Sequence, residues 1–581
     1  MDRLNGAQIV VRTLESLGVT HMFGYPGAAI IDIYDELVKS RQIRHFLARH
    51  EQGAVHMADG FARASGRVGV ALVTSGPGAT NTVSGVATAY GDSIPLVVIS
   101  GQVDTHLIGT DAFQEVDTIG VTRPVVKHSY LCKRPQDVER YLRQAFYIAS
   151  TGRKGPVLVD IPKNCQVGEL LEFHSQTEVS MRSYHPTTFG HRGQIRRAVQ
   201  CLAQARRPIL LCGGGVVQAN ASQELWDLVQ RFNLPVAQTL MGISAYPGTD
   251  GKNLGMVGMH GLYAANEAMH HADVVLAVAA RFDDRVTNEA GKFCPNARII
   301  HVDVDPASIS KTVHADIPIV GDARAVLGQL LECAAEQNIT PGGRYDAWWG
   351  EIEGWRARQR DHAAAAAAAE GPIQPGEVIA CVAELLAGRD YFVTTDVGQH
   401  QMFVAQLFRF DRPRSFITSG GLGTMGFGFP AAAGAWLAHP EATVVCFTGD
   451  GSFQMNTQEM ATCLQYRIPI KIIILNNRSL GMVRQWQSLF YDHRYAETDL
   501  TFSPDFVKLA EAYGHRGFRI GQRSELRAVL EEALSLRGEL AVVEVIIDTD
   551  AKVMPMQRRG GSMEDMILDE DEVQPPAAPA S

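Results

Sequence analysis

The chain has 581 residues, room for three or four domains at roughly 150 residues each, and its 46% hydrophobic and 20% charged residues are those of an ordinary globular protein. A net charge of −10 leaves no basic surplus for nucleic acid, and no apolar run is long enough to span a membrane, so both of those classes are set aside. Nine cysteines without a CxxC pair read as reduced core thiols, and MDRLNGAQIVVRTLESLGV reads as an amphipathic helix rather than a signal or transit segment, which points to a cytoplasmic protein.

The first informative stretch is RHFLARHEQGAVHMADGFARASG. Apolar residues share one face from Gln52 to Ala64, which predicts a helix, and Glu51 falls where a strand hands over to it. A carboxylate there is expected to be nearly dry, with its pKa raised by burial; a helix-capping Glu beside His50 is the competing reading. Strand signals give way to polar sequence from Glu169 to Arg192. An apolar strand then ends in LLCGGGVV, where Gly213, Gly214 and Gly215 either admit a pyrophosphate to the backbone or form a structural turn. Further on, VVLAVAARFDDRVT places Arg281 after a buried strand, where a guanidinium can neutralise phosphate; an Arg–Asp surface pair within RFDDR is the competing reading, which explains the charges but not their place at the strand end. A second composition break runs from Arg356 to Pro375, with alanines at 363–369, and reads as a helix ending in a linker.

The third block carries VVCFTGDGSF and IIILNNRSLGMV. Both apolar runs read as buried parallel strands, and Gln458 to Gln465 as the helix that crosses between them. Asp450 and, 27 residues later, Asn477 therefore stand at strand C-termini. There an open α/β sheet binds ligands, hard oxygens suit Mg²⁺, and Gly449 and Gly451 let backbone N–H groups reach a phosphate. Either half alone is equally a common turn. Asp569 to Ser581, acidic and then rich in Pro and Ala, predicts a mobile tail. The blocks alternate strands and helices, so the fold class is α/β, with three doubly wound parallel-sheet domains at 1–170, 190–345 and 371–550, then a lid segment and tail at 551–581.

GDG followed by NN resembles the thiamine-diphosphate motif. With FGYPGAAIIDIYDEL, TSGPGATN, IGTDAFQEVD, GPVLVDIPK, GMVGMHG, ARFDDRVT, SGGLGTMGFGFPAA and GMVRQWQSLFYDHRY in order, the chain resembles the large catalytic subunits of acetohydroxyacid synthases (acetolactate synthases) along nearly its whole length. The resemblance implies that thiamine diphosphate is held by Gly449, Asp450, Gly451, Ser452, Asn477, Gly481 and Met482. Mg²⁺ would sit on Asp450, Asn477 and the Ser479 carbonyl. Met425 would prop the cofactor in a bent shape, Gly423 would offer its carbonyl to the aminopyrimidine, and Glu51 would share a proton with that ring. FAD, in a structural role, would lie on Arg153, the three glycines, Thr239, Leu240, Met259, His260, Arg281, Asp283, Arg285, Asp303, Val304, Asp322 and Ala323; RFDDR sets this type apart from the flavin-free catabolic acetolactate synthases.

By the same resemblance Phe113, Gln114 and Lys163 act at the thiazolium, and Trp486 and Met482 select the second substrate, Trp486 favouring 2-ketobutyrate over pyruvate. The implied reaction decarboxylates pyruvate and joins the hydroxyethyl carbanion to a second pyruvate, giving 2-acetolactate, or to 2-ketobutyrate, giving 2-aceto-2-hydroxybutyrate, the branched-chain amino-acid precursors. The implied assembly is a homodimer or tetramer in which Glu51 of one chain faces the diphosphate of another, with a small regulatory subunit. Segments at 481–495 and 554–567 would close over the site. A pyruvate oxidase, or another thiamine-dependent 2-ketoacid decarboxylase, stays open as the alternative at this point.

Overall fold

The computed structural model describes residues 3–168, 170–173, 178–339, 345–367, 371–569 and 572. Three six-stranded sheets, parallel throughout, organise the chain. The first contains β1 (His21–Tyr25), β2 (Arg44–Leu47), β3 (Gly69–Val73), β4 (Leu96–Gln102), β5 (His128–Leu131) and β6 (Pro156–Pro162), in the spatial order β2-β1-β3-β4-β6-β5. The central sheet contains β7 (Pro208–Cys212), β8 (Val236–Gln238), β9 (Asn253–Met256), β10 (Val274–Val278), β11 (Arg298–Asp303) and β12 (Ile317–Val320), ordered β9-β8-β7-β10-β11-β12. The third contains β13 (Tyr391–Thr395), β14 (Phe416–Ile417), β15 (Thr443–Gly449), β16 (Lys471–Asn476), β17 (Arg516–Ile520) and β18 (Ala541–Ile546), ordered β14-β13-β15-β16-β18-β17.

Helices cover both faces of each sheet, so inner strands such as PILLC and KIIILN are buried at every residue. The first and third sheets share one winding. The central order is that of the dinucleotide-binding fold.

The first and third units merge into one core through the helices Glu51–Ser65 and Gly428–Ala438. Two glycines make that contact possible: a Cβ at Gly60 would lie 2.1 Å from the Ala431 carbonyl oxygen, and one at Gly434 would lie 1.9 Å from that of Met57. The helix forecast from Gln52 begins one residue earlier, at Glu51, with His50 as its N-cap accepting from the Gln52 N–H. The crossover helix between β15 and β16 is Glu459–Tyr466.

After β18 the chain returns to the central unit. The Gln557 N–H donates to the Met259 carbonyl, the Asn288 amide to the Arg558 carbonyl, and Met556–Gln557 pairs antiparallel with Met566–Ile567. The forecast tail lies mostly outside the described residues. All nine cysteines are free thiols, and no helix among the described residues is long and apolar enough to cross a membrane.

Candidate functional site

The order of the third sheet reverses between β13 and β15, and a cleft opens at the C-terminal ends of these strands and β16. Its walls are Val397–His400 after β13, Gly449–Ser452 after β15, and Asn477 with Ser479–Val483 after β16; Met425 closes one side. Asp450 opens the short helix Asp450–Phe453 and is 1% exposed. Its Oδ2 has no hydrogen-bond partner in the protein, and burial pushes the carboxyl up to about 7. Asn477 accepts the Ser479 N–H at 3.1 Å and donates to Gln399 Oε1 at 3.2 Å.

Glycines form the floor of the cleft. A Cβ at Gly449 would stand 3.0 Å from His400 Nδ1, and one at Gly481 2.1 Å from Gln399 Oε1. Gly423 has φ +68°, and the nearby Gly426 and Gly428 N–H groups are held by the buried Asp396 carboxylate at 2.8 and 3.1 Å. An orphaned buried carboxylate oxygen beside an amide and a carbonyl, over a glycine floor, suits a divalent cation and a diphosphate. Among the described residues there is no group of three or more His, Cys, Asp or Glu side chains able to hold a metal ion.

Sequence reasoning missed Gln399 and His400. His400 is buried, its ring pushed down to about 3 by that burial, and its Nε2 has no partner. The available signal was the DVGQHQ segment directly after the apolar strand YFVTT.

The sequence-predicted residues of the first unit meet at the C-terminal ends of that unit's own strands. Glu51 accepts the Asn81 side-chain N–H at 3.0 Å, and a Cβ at Gly78 would lie 3.5 Å from its Oε1. Gln114, at φ +56°, brings its carbonyl against Gly76, where a Cβ would approach to 2.7 Å. Lys163 donates to the Ala28 carbonyl at 2.9 Å, and Phe113 is 87% exposed.

Glu51 does not line the third unit's cleft, and the single chain leaves it half-buried rather than dry. The reason is visible around it: Tyr25, Pro26, Pro77 and Asn81 on the same edge are exposed, so the described residues cover the carboxylate only in part. On the helix Gly481–Phe490, Met482 lines the cleft, while Trp486, one turn on, is half-buried against Phe490 at 5.4 Å.

The flavin candidates gather at the strand C-termini of the central sheet. Gly213–Gly215 follow β7, Thr239 and Leu240 follow β8, Met259 and His260 follow β9, Arg281, Asp283 and Arg285 follow β10, Asp303 ends β11 with Val304 next, and Asp322 and Ala323 follow β12. The glycine triplet sits where this order reverses. A Cβ at Gly213 would meet the Ala279 carbonyl oxygen at 2.0 Å, one at Gly214 the Met241 Cβ at 2.8 Å, and one at Gly215 the Ala279 Cβ at 2.5 Å. The protein's own packing therefore already demands all three.

Arg281 donates to the Gly91 carbonyl at 2.6 Å, and Arg153 pairs with Asp305 at 3.2 Å, so the first unit borders the same edge. Arg285 donates to the Met259 sulfur at 3.3 Å, and Asp283 caps the helix Asp284–Thr287. Burial pushes Asp303 up to about 6 and His260 down to about 4, and His260 Nδ1 is unpartnered.

Comparisons with known proteins agree with this division. Three family models match in order: the thiamine pyrophosphate enzyme N-terminal TPP binding domain at residues 4–121, the central domain at 195–330 and the C-terminal TPP binding domain at 396–545. The acetolactate synthase isozyme 3 large subunit of Escherichia coli is 54% identical over 580 residues, covering 98% of this chain and 100% of that one. The acetolactate synthase large subunit of Haemophilus influenzae is 52% identical, covering 98% and 99%. With that identity carried through all three sheets, the chain belongs to the acetolactate synthase large-subunit family of thiamine pyrophosphate enzymes.

Proposed function

We propose that this chain is the catalytic subunit of an acetohydroxyacid synthase that joins two 2-ketoacids with loss of carbon dioxide, using pyruvate as donor and pyruvate or 2-ketobutyrate as acceptor. The observation that carries it is the buried, unpartnered Asp450 Oδ2 over the glycine floor at the reversal point of the third sheet. Asp450, the Asn477 side-chain oxygen and the Ser479 carbonyl hold Mg²⁺, with Gly449, Gly451, Ser452, Gly481 and Met482 around the diphosphate. Gly423 and Met425 seat the ring system. Bound thiamine diphosphate supplies the electron sink for decarboxylation and carbon–carbon bond formation.

The chain's own residues do the rest. Glu51 of a second copy holds the proton exchanged with the cofactor ring; the exposed edge around it supports the homodimer, in which a second chain gives it the dry setting that one chain lacks. Gln114 and Lys163 orient the ketoacid, Phe113 excludes water, and Trp486 with Met482 gives the acceptor's extra methylene an apolar wall, worth about 1–3 kcal/mol. FAD on the central edge has a structural role, since the net reaction moves no electrons; the dinucleotide-type strand order and the orphaned His260 Nδ1 support that placement. A small regulatory subunit completes the proposed assembly.

The test is acetolactate formation from pyruvate with thiamine diphosphate, Mg²⁺ and FAD omitted in turn, beside a Glu51→Gln variant. Product that needs all three and falls sharply in the variant is the expected outcome. Acetate with bleaching of the flavin overturns the reading in favour of an oxidase, and acetaldehyde with the flavin left oxidised overturns it in favour of a simple decarboxylase.

A further inference from the structure

Glu459 is fully buried, yet it does not line the cofactor cleft. A buried carboxylate is costly unless its oxygens are taken up by donors. Here the donors come from the other unit. Glu459 Oε1 accepts the Arg49 and His50 backbone N–H groups, both at 3.0 Å; Oε2 accepts the Arg49 N–H at 3.1 Å and the Thr462 hydroxyl at 2.8 Å. The same helix adds further ties. The Thr462 hydroxyl also lies 3.1 Å from the Leu47 carbonyl, so its one proton is shared between that oxygen and Glu459, the Tyr466 hydroxyl accepts the Leu47 N–H at 2.8 Å, and Gln465 accepts the Arg49 guanidinium at 2.7 Å.

Residues 459, 462 and 466 stand on one helix face. Together they clamp the turn of residues 47–50, whose next residue is Glu51. Gly53 admits the clamp, because a Cβ there would lie 2.3 Å from Glu459 Oε1. Packing two units together needs only apolar contact, which the Gly60 and Gly434 helices already supply. A carboxylate spent on the two peptide N–H groups before Glu51 fixes a direction as well as a contact.

We infer that Glu459 is a positioning residue for the cofactor-activating proton transfer: it holds the turn that aims the Glu51 carboxyl. The inference rests on the proposed role of Glu51. The turn and its clamp belong to one chain, so the third unit of each chain aims the acid that its own first unit presents.

The experiment compares wild type, Glu51→Gln, Glu459→Gln and the double variant. Amide hydrogen exchange over residues 44–57 is measured in the cofactor-free protein, and exchange of the C2 proton of bound thiamine diphosphate in the loaded protein. Glu459→Gln is expected to leave thiamine diphosphate affinity within about twofold, to speed amide exchange at 47–50, and to slow C2 exchange by roughly ten- to a hundredfold, the loss that a displacement near 1 Å brings. The double variant should be no slower than Glu51→Gln alone, since one residue acts through the other.

Wild-type C2 exchange in Glu459→Gln, or losses that multiply in the double variant, overturn the inference. Wild-type exchange in Glu51→Gln overturns both it and the role of Glu51. Should Glu459→Gln not fold, Tyr466→Phe removes one tie to Leu47 and is expected to show the same pair of effects in weaker form; faster amide exchange with unchanged C2 exchange in that variant refutes the inference.

Discussion

Replacing Arg63 with Met tests how the first unit holds the loop that leads to Gly423 and Met425. Arg63, 5% exposed, donates to Asp59, to Asp92 at 2.9 Å and to the Thr418 carbonyl at 2.7 Å. Asp92 in turn accepts the Gly420 and Gly421 N–H groups at 3.1 and 2.6 Å. Among the described residues, the hydrogen bonds recorded for the Asp59 side chain all come from Arg63. The variant therefore strands one buried carboxylate outright and leaves the other on two backbone donors, a destabilisation of about 3–5 kcal/mol.

The pH dependence has a definite sign. Burial already raises Asp59 above the usual carboxylate range, with Arg63 pulling it back down. A raised folded-state pKa gives stability that is complete below the unfolded value and is lost as pH climbs through the folded one. Removing Arg63 raises the folded value further, so the deficit must be larger at pH 8 than at pH 5.5. Urea unfolding of the cofactor-free protein, followed by tryptophan fluorescence at both pH values, measures it. A deficit that is the same at both, or below about 1 kcal/mol at pH 8, refutes the reasoning. A second change, Asp59→Leu in the Arg63→Met background, should restore part of the loss by removing the stranded charge.

Trp486→Leu is expected to reduce the preference for 2-ketobutyrate over pyruvate by roughly tenfold or more, the worth of one methylene contact, with product ratios as the readout and an unchanged ratio as the refutation. Arg281→Ala should strip bound flavin, seen as lost absorbance after gel filtration, while thiamine diphosphate affinity holds; full flavin retention would count against the central-edge placement. Gln485 brackets Val553, accepting its N–H at 2.9 Å and donating to its carbonyl at 3.1 Å, and it also accepts from Gln399 at 2.9 Å. Gln485→Ala, at a cost of about 1–3 kcal/mol for the groups left unpaired, should speed tryptic cleavage at Lys552 and Arg558, and an unaltered cleavage rate would remove Gln485 as the anchor of that segment.

What the sequence displayed was whatever local periodicity and spacing can encode. The strand ends at Gly449 and Asn476, the crossover helix between them and the handover to a helix at Glu51 follow from alternating apolar runs and turn residues. The partners of those residues were hidden. Glu459 looks like any first-turn acid until its carboxylate is seen on residues more than four hundred positions earlier. The GGG triplet announced a close approach, and the structure shows that what approaches is the backbone at Ala279, so the triplet alone says nothing about a nucleotide. His400 offered only its place just after an apolar strand, and the fold is what brings it to Gly449.

Glu51 is half-buried in the single chain for a different reason, one that bears on assembly. The first and third sheets are wound alike, and the helices Glu51–Ser65 and Gly428–Ala438 pack backbone to backbone through Gly60 and Gly434. That packing joins the two units into one core while Glu51 stays off the third unit's cleft. Each chain thus has a half-buried acid on one unit and the buried, unpartnered Asp450 oxygen on another. In the proposed homodimer a two-fold axis would bring each acid to the other chain's Asp450, because a closed symmetric pair repeats each complementary contact twice. The exposed Tyr25, Phe113 and Leu422 give such a pair apolar surface to bury.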